Sequence, residues 1–253
     1  MSTVSTPLAD SAIMLRRNLK HTMRNPIVVF NAVLFPIIIM LMFVKVFGGA
    51  FTVGENYIDY ATPGLLVMGI SYGLGATATA VNDDMTKGVI NRLKVMDVSR
   101  GSVLNGHVIV TTVRCLVSCT AIVLVAFGLG FDPKASALDW LGVFGVIVLL
   151  SFAAGWLTVA LGLAAKTAES AGLATVPLIM LPFLSSAFVP ADTMGTGVRQ
   201  FAEYQPFTPI IETLRGLLLG SVSSGDAIAT VAWCVGFIVL GYAWSVSAFN
   251  KRA

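Results

Sequence analysis

Long apolar runs separated by short polar segments dominate the chain. A helix needs about 20 predominantly apolar residues to cross the hydrocarbon core of a bilayer. Five runs reach that length without a break. They lie near 27–47, 61–82, 103–127, 140–165 and 229–249. A sixth run, near 171–190, has no charged residue but contains Pro177 and Pro182, which membrane helices tolerate when neighbours satisfy the freed carbonyls. The pattern predicts an all-α integral membrane protein with six transmembrane helices.

The residues before the first span predict a helix that lies on the membrane. Residues 7–24 have apolar side chains at helical spacing on one side and basic side chains on the other. Thr6 is placed to cap this helix, and Pro7 suits its first turn. We therefore predict a cytoplasmic amphipathic helix within residues 1–26, held by anionic lipid or by a cytoplasmic partner. A six-span domain over residues 27–253 follows it.

Two segments between spans also predict short helices. In residues 83–100, Val89, Leu93 and Met96 recur at helical spacing, although an ordinary loop explains this pattern about as well. Residues 205–220 are apolar but too short to span, which is typical of a re-entrant or interfacial helix. Glu212 and Arg215 lie three residues apart there and are predicted to pair, as a structural clasp or as a substrate gate.

Composition makes lipid the solvent for much of the surface. Hydrophobic residues make up 56% of the 253 residues, charged residues 11%, and the mean hydropathy is +0.85. Soluble domains have roughly 45–50% apolar and about 25% charged residues. No basic run is dense enough to predict nucleic-acid binding. Cys115, Cys119 and Cys234 lie inside apolar runs without neighbouring metal ligands, so we predict buried thiols and no metal site.

The positions of lysine and arginine predict the orientation. With the N-terminus inside, the cytoplasmic segments hold eleven of the 16 basic residues and the external segments hold three. Cytoplasmic loops carry the excess of basic residues in membrane proteins. We therefore expect a multi-pass protein of the cell membrane with both termini in the cytoplasm.

Candidate residues for a transport path or a subunit contact lie inside the spans. Arg114 falls near the middle of the third span, where an ionisable group is expensive and functional by default. It is expected to bind an anionic substrate headgroup, to pair with a carboxylate from a loop or to satisfy helix carbonyls at a dimer contact. Gly69 and Gly73 form a G-x-x-x-G, which permits close packing within the bundle or between subunits. Further candidate lining residues are Asn31, Phe35, Tyr72, Thr77, Thr111 and Phe183.

In this order and at these spacings, the residues resemble a known family. Permeases of type-2 ABC transporters, especially the daunorubicin-resistance drug exporters, have a similar first cytoplasmic loop. The matching residues here are Asp84, Gly88, Arg92, Leu93, Ser99 and Arg100. The family's external element before the last span resembles residues 206–220, which include Pro206, Thr208, Glu212 and Arg215. One departure is Asp97, where the family often has proline.

The resemblance implies a permease that forms a homodimer or heterodimer and is driven by two separate nucleotide-binding subunits. Those subunits would hold ATP and magnesium, so no cofactor is expected in this chain. The sequence agrees, because it contains no G-x-x-x-x-G-K-[ST] phosphate-binding loop. The resemblance also implies export of a lipophilic or amphipathic compound, while related exporters move lipids or lipid-linked polysaccharides.

On this interpretation, residues 83–100 form a coupling helix that contacts the ATPase subunit. Its apolar residues would supply contact area, and its charged residues would fix orientation, because charge complementarity sets register more than affinity. The predicted contacts are Asp84, Gly88, Val89, Arg92, Leu93, Met96 and Arg100.

Other classes of membrane protein compete with the exporter interpretation. An ion-coupled secondary transporter usually carries membrane carboxylates, whereas all 13 carboxylates here fall in or beside predicted loops. A channel would need a filter signature, and a membrane enzyme would need a motif such as H-E-x-x-H or G-x-S-x-G. No filter signature and no H-E-x-x-H occurs, and the one G-x-S-x-G string, Gly69-Ile70-Ser71-Tyr72-Gly73, falls inside the second apolar run and not at the strand-to-helix turn that this motif requires. The ion-coupled secondary transporter is therefore the main alternative from another class.

Overall fold

The computed structural model describes residues 30–48, 56–86 and 100–252. Over these residues the chain contains helices, turns and connecting segments but no strand, which confirms the all-α fold class. The predicted helix within residues 1–26 and most of the predicted coupling helix lie outside the described residues.

The helices are numbered in chain order. They are α1 (Phe35–Leu41), α2 (Tyr57–Thr86), α3 (Arg100–Gly128), α4 (Ala137–Ala164), α5 (Ala168–Leu173), α6 (Val176–Met180), α7 (Thr196–Tyr204), α8 (Phe207–Leu219) and α9 (Ser224–Arg252). Helix α1 continues on both sides as π-helix, over Phe30–Leu34 and Met42–Phe47. Two turns of 3-10 helix are Leu181–Leu184 and Ala191–Thr193.

Four of the described helices are long and apolar enough to cross a membrane. They are Tyr57–Thr86, Leu104–Gly128, Ala137–Ala164 and Ser224–Asn250. Each contains most of one predicted span. The other two predicted spans correspond to the shorter apolar stretches Phe35–Val46 and Ala168–Leu184. The structure therefore supports a multi-pass protein, while the count of six spans stays a prediction.

The predicted span near 171–190 is broken into short pieces. Thr167 and Ser170 form a capping box that starts α5, and separate short turns follow at Pro177 and Pro182. Proline interrupts a helix because it has no amide hydrogen to donate and its ring crowds the preceding turn. Residues 185–190 contain no helix. This region therefore differs from the continuous helices that occupy the other long apolar runs.

Side chains from α2 and from the turn between α7 and α8 satisfy the carbonyls that this break frees. Gln205 Nε2 donates to the Leu181 carbonyl at 3.2 Å. Tyr60 Oη donates to the Ser186 carbonyl at 2.9 Å, and Tyr57 Oη donates to the Phe188 carbonyl at 3.2 Å. An unpaired carbonyl in a water-free interior costs several kcal/mol, in order of magnitude, so these donors make the broken segment tolerable in lipid.

Helices α2 and α4 form the centre of the bundle. No side chain of α2 before Thr86 is exposed, and α4 packs against α2, α3 and α9. Glycine permits the closest approaches: a Cβ on Gly162 would lie 2.6 Å from the Ala78 carbonyl oxygen. Asn82 Nδ2 on α2 donates to the carbonyls of Gly162 at 3.1 Å and Ala165 at 2.7 Å. It thereby satisfies carbonyls at the end of α4 that have no partner within the helix.

The apolar segment predicted over 205–220 is the helix α8, and it is deeply buried. Ile210, Ile211, Leu214 and Leu218 have no exposed surface, and the helix ends at Gly220, whose φ of +82° is the left-handed conformation that glycine adopts readily. The preceding helix α7 was not expected from the sequence. Its exposed apolar residues are Val198, Phe201 and Tyr204.

Candidate functional site

Polar side chains of α3 face polar side chains and one backbone carbonyl of α2, that of Gly73, along part of the contact between the two helices. On α3 they are spaced four and three residues apart, and on α2 four and seven apart, so each set lies on one helix face. We call these six residues the polar seam: Gly73, Thr77, Asp84, His107, Thr111 and Arg114.

Arg114 lies at the end of the polar seam that reaches the middle of α3. Its side chain is 8% exposed, and Nη2 donates to the Gly73 carbonyl at 2.5 Å and to Thr77 Oγ1 at 2.6 Å. Its Nε is buried and has no hydrogen-bond partner among the described atoms. No carboxylate of the described residues forms an ion pair with it. Arg114 therefore bonds to a helix carbonyl, as one of its three expected roles required, but this carbonyl belongs to the same chain and not to a second subunit.

The hydroxyls of the polar seam form an ordered chain. Thr77 Oγ1 and Thr111 Oγ1 lie 2.6 Å apart, and Thr111 Oγ1 donates to the His107 carbonyl at 2.8 Å. A hydroxyl has one proton, so Thr111 must accept from Thr77. Thr77 in turn accepts from Arg114, because a guanidinium can only donate. The chain of donation therefore runs from Arg114 through Thr77 and Thr111 to the backbone of α3.

An acid and a histidine close the other end of the polar seam. His107 Nε2 lies 3.2 Å from Asp84 Oδ2, and the two side chains are 7% and 14% exposed. Asp84 was predicted within the coupling helix, and the structure places it on the last turn of α2 instead. The other predicted ATPase contacts lie outside the residues whose side chains are described. They are Gly88, Val89, Arg92, Leu93, Met96 and Arg100.

Arg215 of α8 holds a second polar cluster, which we call the arginine clasp and which consists of Tyr60, Ser186, Glu212 and Arg215. Arg215 forms an ion pair with Glu212, as their spacing predicted. Its Nη2 donates to the Ser186 carbonyl at 2.7 Å, and Nε and Nη2 donate to the Tyr60 carbonyl at 3.3 Å. The guanidinium carbon lies 3.9 Å from the centre of the Tyr60 ring. The clasp therefore joins α8, α2 and the broken segment.

The aromatic candidates for a lining fall into two groups. Phe35 and Tyr72 meet edge to face with ring centres 4.7 Å apart. Phe183 lies 5.7 Å from Phe188, which stacks on Phe43 at 4.0 Å. All but Phe188 are only partly buried. The first group joins α1 to α2, and the second joins the π-helical turn after α1 to the broken segment.

The remaining candidates have simpler surroundings. Gly69 faces α3 of the same chain, where a Cβ would meet Ile122 Cδ1 at 2.5 Å, and Gly73 packs against Arg114. The G-x-x-x-G therefore serves packing inside this bundle. Thr77 and Thr111, suggested as lining residues, bond to each other instead. The side chain of Asn31 lies outside the described ones.

Several residues that hold these sites were not found from the sequence. Tyr57, Tyr60, Ser186 and Gln205 act through contacts with residues far away in the sequence, and Asn82 acts across helices in the same way. A polar residue within an apolar run was the available signal for Asn82 and His107. It does not identify the partner.

Comparison with known proteins gives the family. The sequence profile described as ABC-2 type transporter matches residues 11–219. A daunorubicin resistance ABC transporter permease protein of Streptomyces coeruleorubidus is 28% identical over 217 residues, which cover 85% of this chain and 77% of that protein. In two strains of Mycobacterium tuberculosis, a probable doxorubicin resistance ABC transporter permease protein is 27% identical over 239 residues, covering 92% of this chain and 85% of the relative. With a matching profile over most of its length and apolar helices that can span a membrane, this chain belongs to the ABC-2 type transporter family as a permease.

Proposed function

We propose that this chain is the permease subunit of an ATP-driven exporter of a lipophilic or amphipathic, drug-like compound. The observation that carries the proposal is the similarity, over 85% and 92% of the chain, to permeases named for daunorubicin and doxorubicin resistance. Export would proceed from the cytoplasm or the inner leaflet to the outside of the cell membrane. The main alternative within the family is export of a lipid or a lipid-linked polysaccharide.

In this proposal the energy enters through another polypeptide. The 253 residues contain no G-x-x-x-x-G-K-[ST] loop for nucleotide phosphates. Two nucleotide-binding subunits would hold ATP and magnesium, and a second permease subunit, identical or related, would complete the path. Both termini would lie in the cytoplasm, as the excess of basic residues in those segments favours.

The contact with the ATPase subunit would be the loop between α2 and α3. Val89, Leu93 and Met96 would supply the apolar contact, and Arg92 would fix its orientation, whereas Asp84, on the last turn of α2, pairs with His107. Both helices that flank this loop are long, so a displacement of the loop would move them as rigid rods. This geometry supports mechanical coupling at that position.

The test is co-expression with the ATPase subunit encoded nearest to this gene, followed by purification and reconstitution in lipid vesicles. We expect a stable complex whose ATP hydrolysis rises when doxorubicin is added. Arg92→Ala and Leu93→Ala are expected to abolish the rise. Arg199→Ala, which removes a basic residue on the exposed helix α7, is the matched control and keeps it.

Two results would contradict the proposal. The first is a purified chain that binds no ATPase subunit but transports doxorubicin when only an ion gradient is applied, which indicates a secondary transporter. The second is a complex whose ATP hydrolysis responds to lipid-linked polysaccharide and not to doxorubicin, which indicates the other substrate class.

A further inference from the structure

The predicted ATPase contact lies directly between the two helices that the polar seam joins. Residues 87–99 follow the end of α2 and precede α3, and the Asp84–His107 pair connects these two helices at the base of that loop. We infer that the polar seam positions α2 against α3 during transport and so carries movement of the loop to Arg114 in the middle of the membrane. This inference rests on the proposed function.

The polar seam covers a substantial part of the membrane thickness. Asp84 and Gly73 are eleven positions apart on α2, which corresponds to about 16 Å at the helical rise. His107 and Arg114 are seven positions apart on α3, or about 10 Å. Beyond the seam, Cys115 and Cys119 of α3 donate weak thiol hydrogen bonds to the Ile70 and Leu66 carbonyls of α2, at 3.8 Å and 3.6 Å, and the surrounding contacts are apolar.

Apolar contacts alone would fix the axial register of these helices weakly. Dispersion and the burial of apolar surface do not depend on direction, and there is no hydrophobic driving force for helices to associate within lipid. Hydrogen bonds are directional, and the bonds of the polar seam form one ordered chain. A slip of α2 along α3 would break the bonds of Arg114, Thr77 and His107 together, so the seam specifies one register.

The charge of Arg114 makes the alternative registers expensive. A cation without a carboxylate partner depends on its hydrogen-bond acceptors in lipid, and here these are the Gly73 carbonyl and Thr77 Oγ1. Losing them would leave the guanidinium buried and unpaired. The helices would therefore move together as one body rather than slide, which is what a coupling element requires.

The experiment uses hydroxyl deletions in the reconstituted complex. Thr77→Val and Thr111→Val each remove one hydroxyl from the hydrogen-bonded chain of the polar seam. Thr77→Ser keeps the hydroxyl at position 77. Thr79→Val and Thr112→Val are matched controls, because those hydroxyls bond to carbonyls of their own helices at 3.1 Å and 3.0 Å. The quantity measured is the ratio of doxorubicin-stimulated to basal ATP hydrolysis, with the thermal unfolding midpoint alongside.

We expect each seam variant to lower the ratio roughly threefold or more, as for residues that carry coupling between sites. The double variant Thr77→Val/Thr111→Val should lower it no further than either single change, because both break the same chain. Thr77→Ser and both controls should keep the ratio of the unmodified complex. Arg114→Lys keeps the positive charge but loses the planar guanidinium and its two bonds to α2, so it should also lower the ratio. This variant replaces a valine variant that fails to fold.

The outcomes separate the inference from the proposed function. If the seam variants lower the unfolding midpoint but keep the ratio, the seam is structural only and the inference is wrong. If the unmodified complex shows no doxorubicin-stimulated hydrolysis, the proposed function is wrong and the inference falls with it.

Discussion

Three arginines of this chain carry the same guanidinium in different environments. Arg199 is half exposed on α7 and pairs with Glu203 at 2.7 Å, a hydrogen bond that raises the pKa of the already cationic Arg199. Arg215 is 9% exposed and has an acid, two carbonyls and an aromatic ring around it. Arg114 is equally buried and has no acid partner among the described residues. Exposed ion pairs contribute little to stability, whereas removing one partner of a buried ion pair leaves an uncompensated buried charge, which is strongly destabilising.

At this scale we expect Arg215→Ala to destabilise the protein by about 3 kcal/mol, because it leaves the Ser186 and Tyr60 carbonyls without this donor and Glu212 without its cation. The measurement is the unfolding midpoint of the purified chain in detergent. Arg199→Ala is the control and should leave the midpoint unchanged. Equal midpoint shifts in the two variants would show that the arginine clasp does not stabilise the bundle.

At the scale of helices, close contacts across α4 depend on glycine. A Cβ on Gly162 would collide with backbone atoms of Ala78, and one on Gly241 would lie 2.7 Å from the backbone nitrogen of Leu157. Gly145, on the exposed side of α4, has nothing within 4 Å of the same position. The packing on the buried side of α4 therefore requires glycine, whereas nothing on its exposed side would collide with a larger residue.

We expect Gly162→Ala to destabilise the bundle by about 1–3 kcal/mol, since the added methyl group must push α2 and α4 apart. Gly145→Ala should be neutral or stabilising, because alanine favours helix by up to about 1 kcal/mol over glycine. Chemical unfolding of the two variants in the same detergent compares them. A larger loss for Gly145→Ala would contradict the packing described.

The sequence predicted the long helices well because lipid demands long apolar runs. The second run, near 61–82, is the helix Tyr57–Thr86, and most of the extra residues at its ends are polar, so an apolar run does not detect them. The sequence predicted less well the features that depend on contacts between helices inside the bundle. The break after α5 depends on tyrosine donors from α2 and on Gln205 between α7 and α8, and Thr77 and Thr111 are 34 residues apart. No periodicity along the chain shows which helix faces meet.

At the scale of the whole molecule, the distribution of basic residues predicts which ends of the bundle face the cytoplasm. Ser221 and Lys166 lie in exposed segments that belong to opposite sides in this topology. The three native cysteines are buried, so they give little background in thiol labelling. We expect a membrane-impermeant maleimide to label Ser221→Cys in intact cells and to leave Lys166→Cys unlabelled until the membrane is opened. The reverse pattern would invert the topology.

The broken segment between α5 and α7 has a consequence for how the chain is made. Its Leu181 and Ser186 carbonyls take bonds from Gln205 and Arg215, which the ribosome adds 24 and 29 residues later. Until then the nascent segment lacks these donors, although Tyr57 and Tyr60 have already been synthesised. We therefore expect this segment to reach its final hydrogen bonding only after α8 has been synthesised.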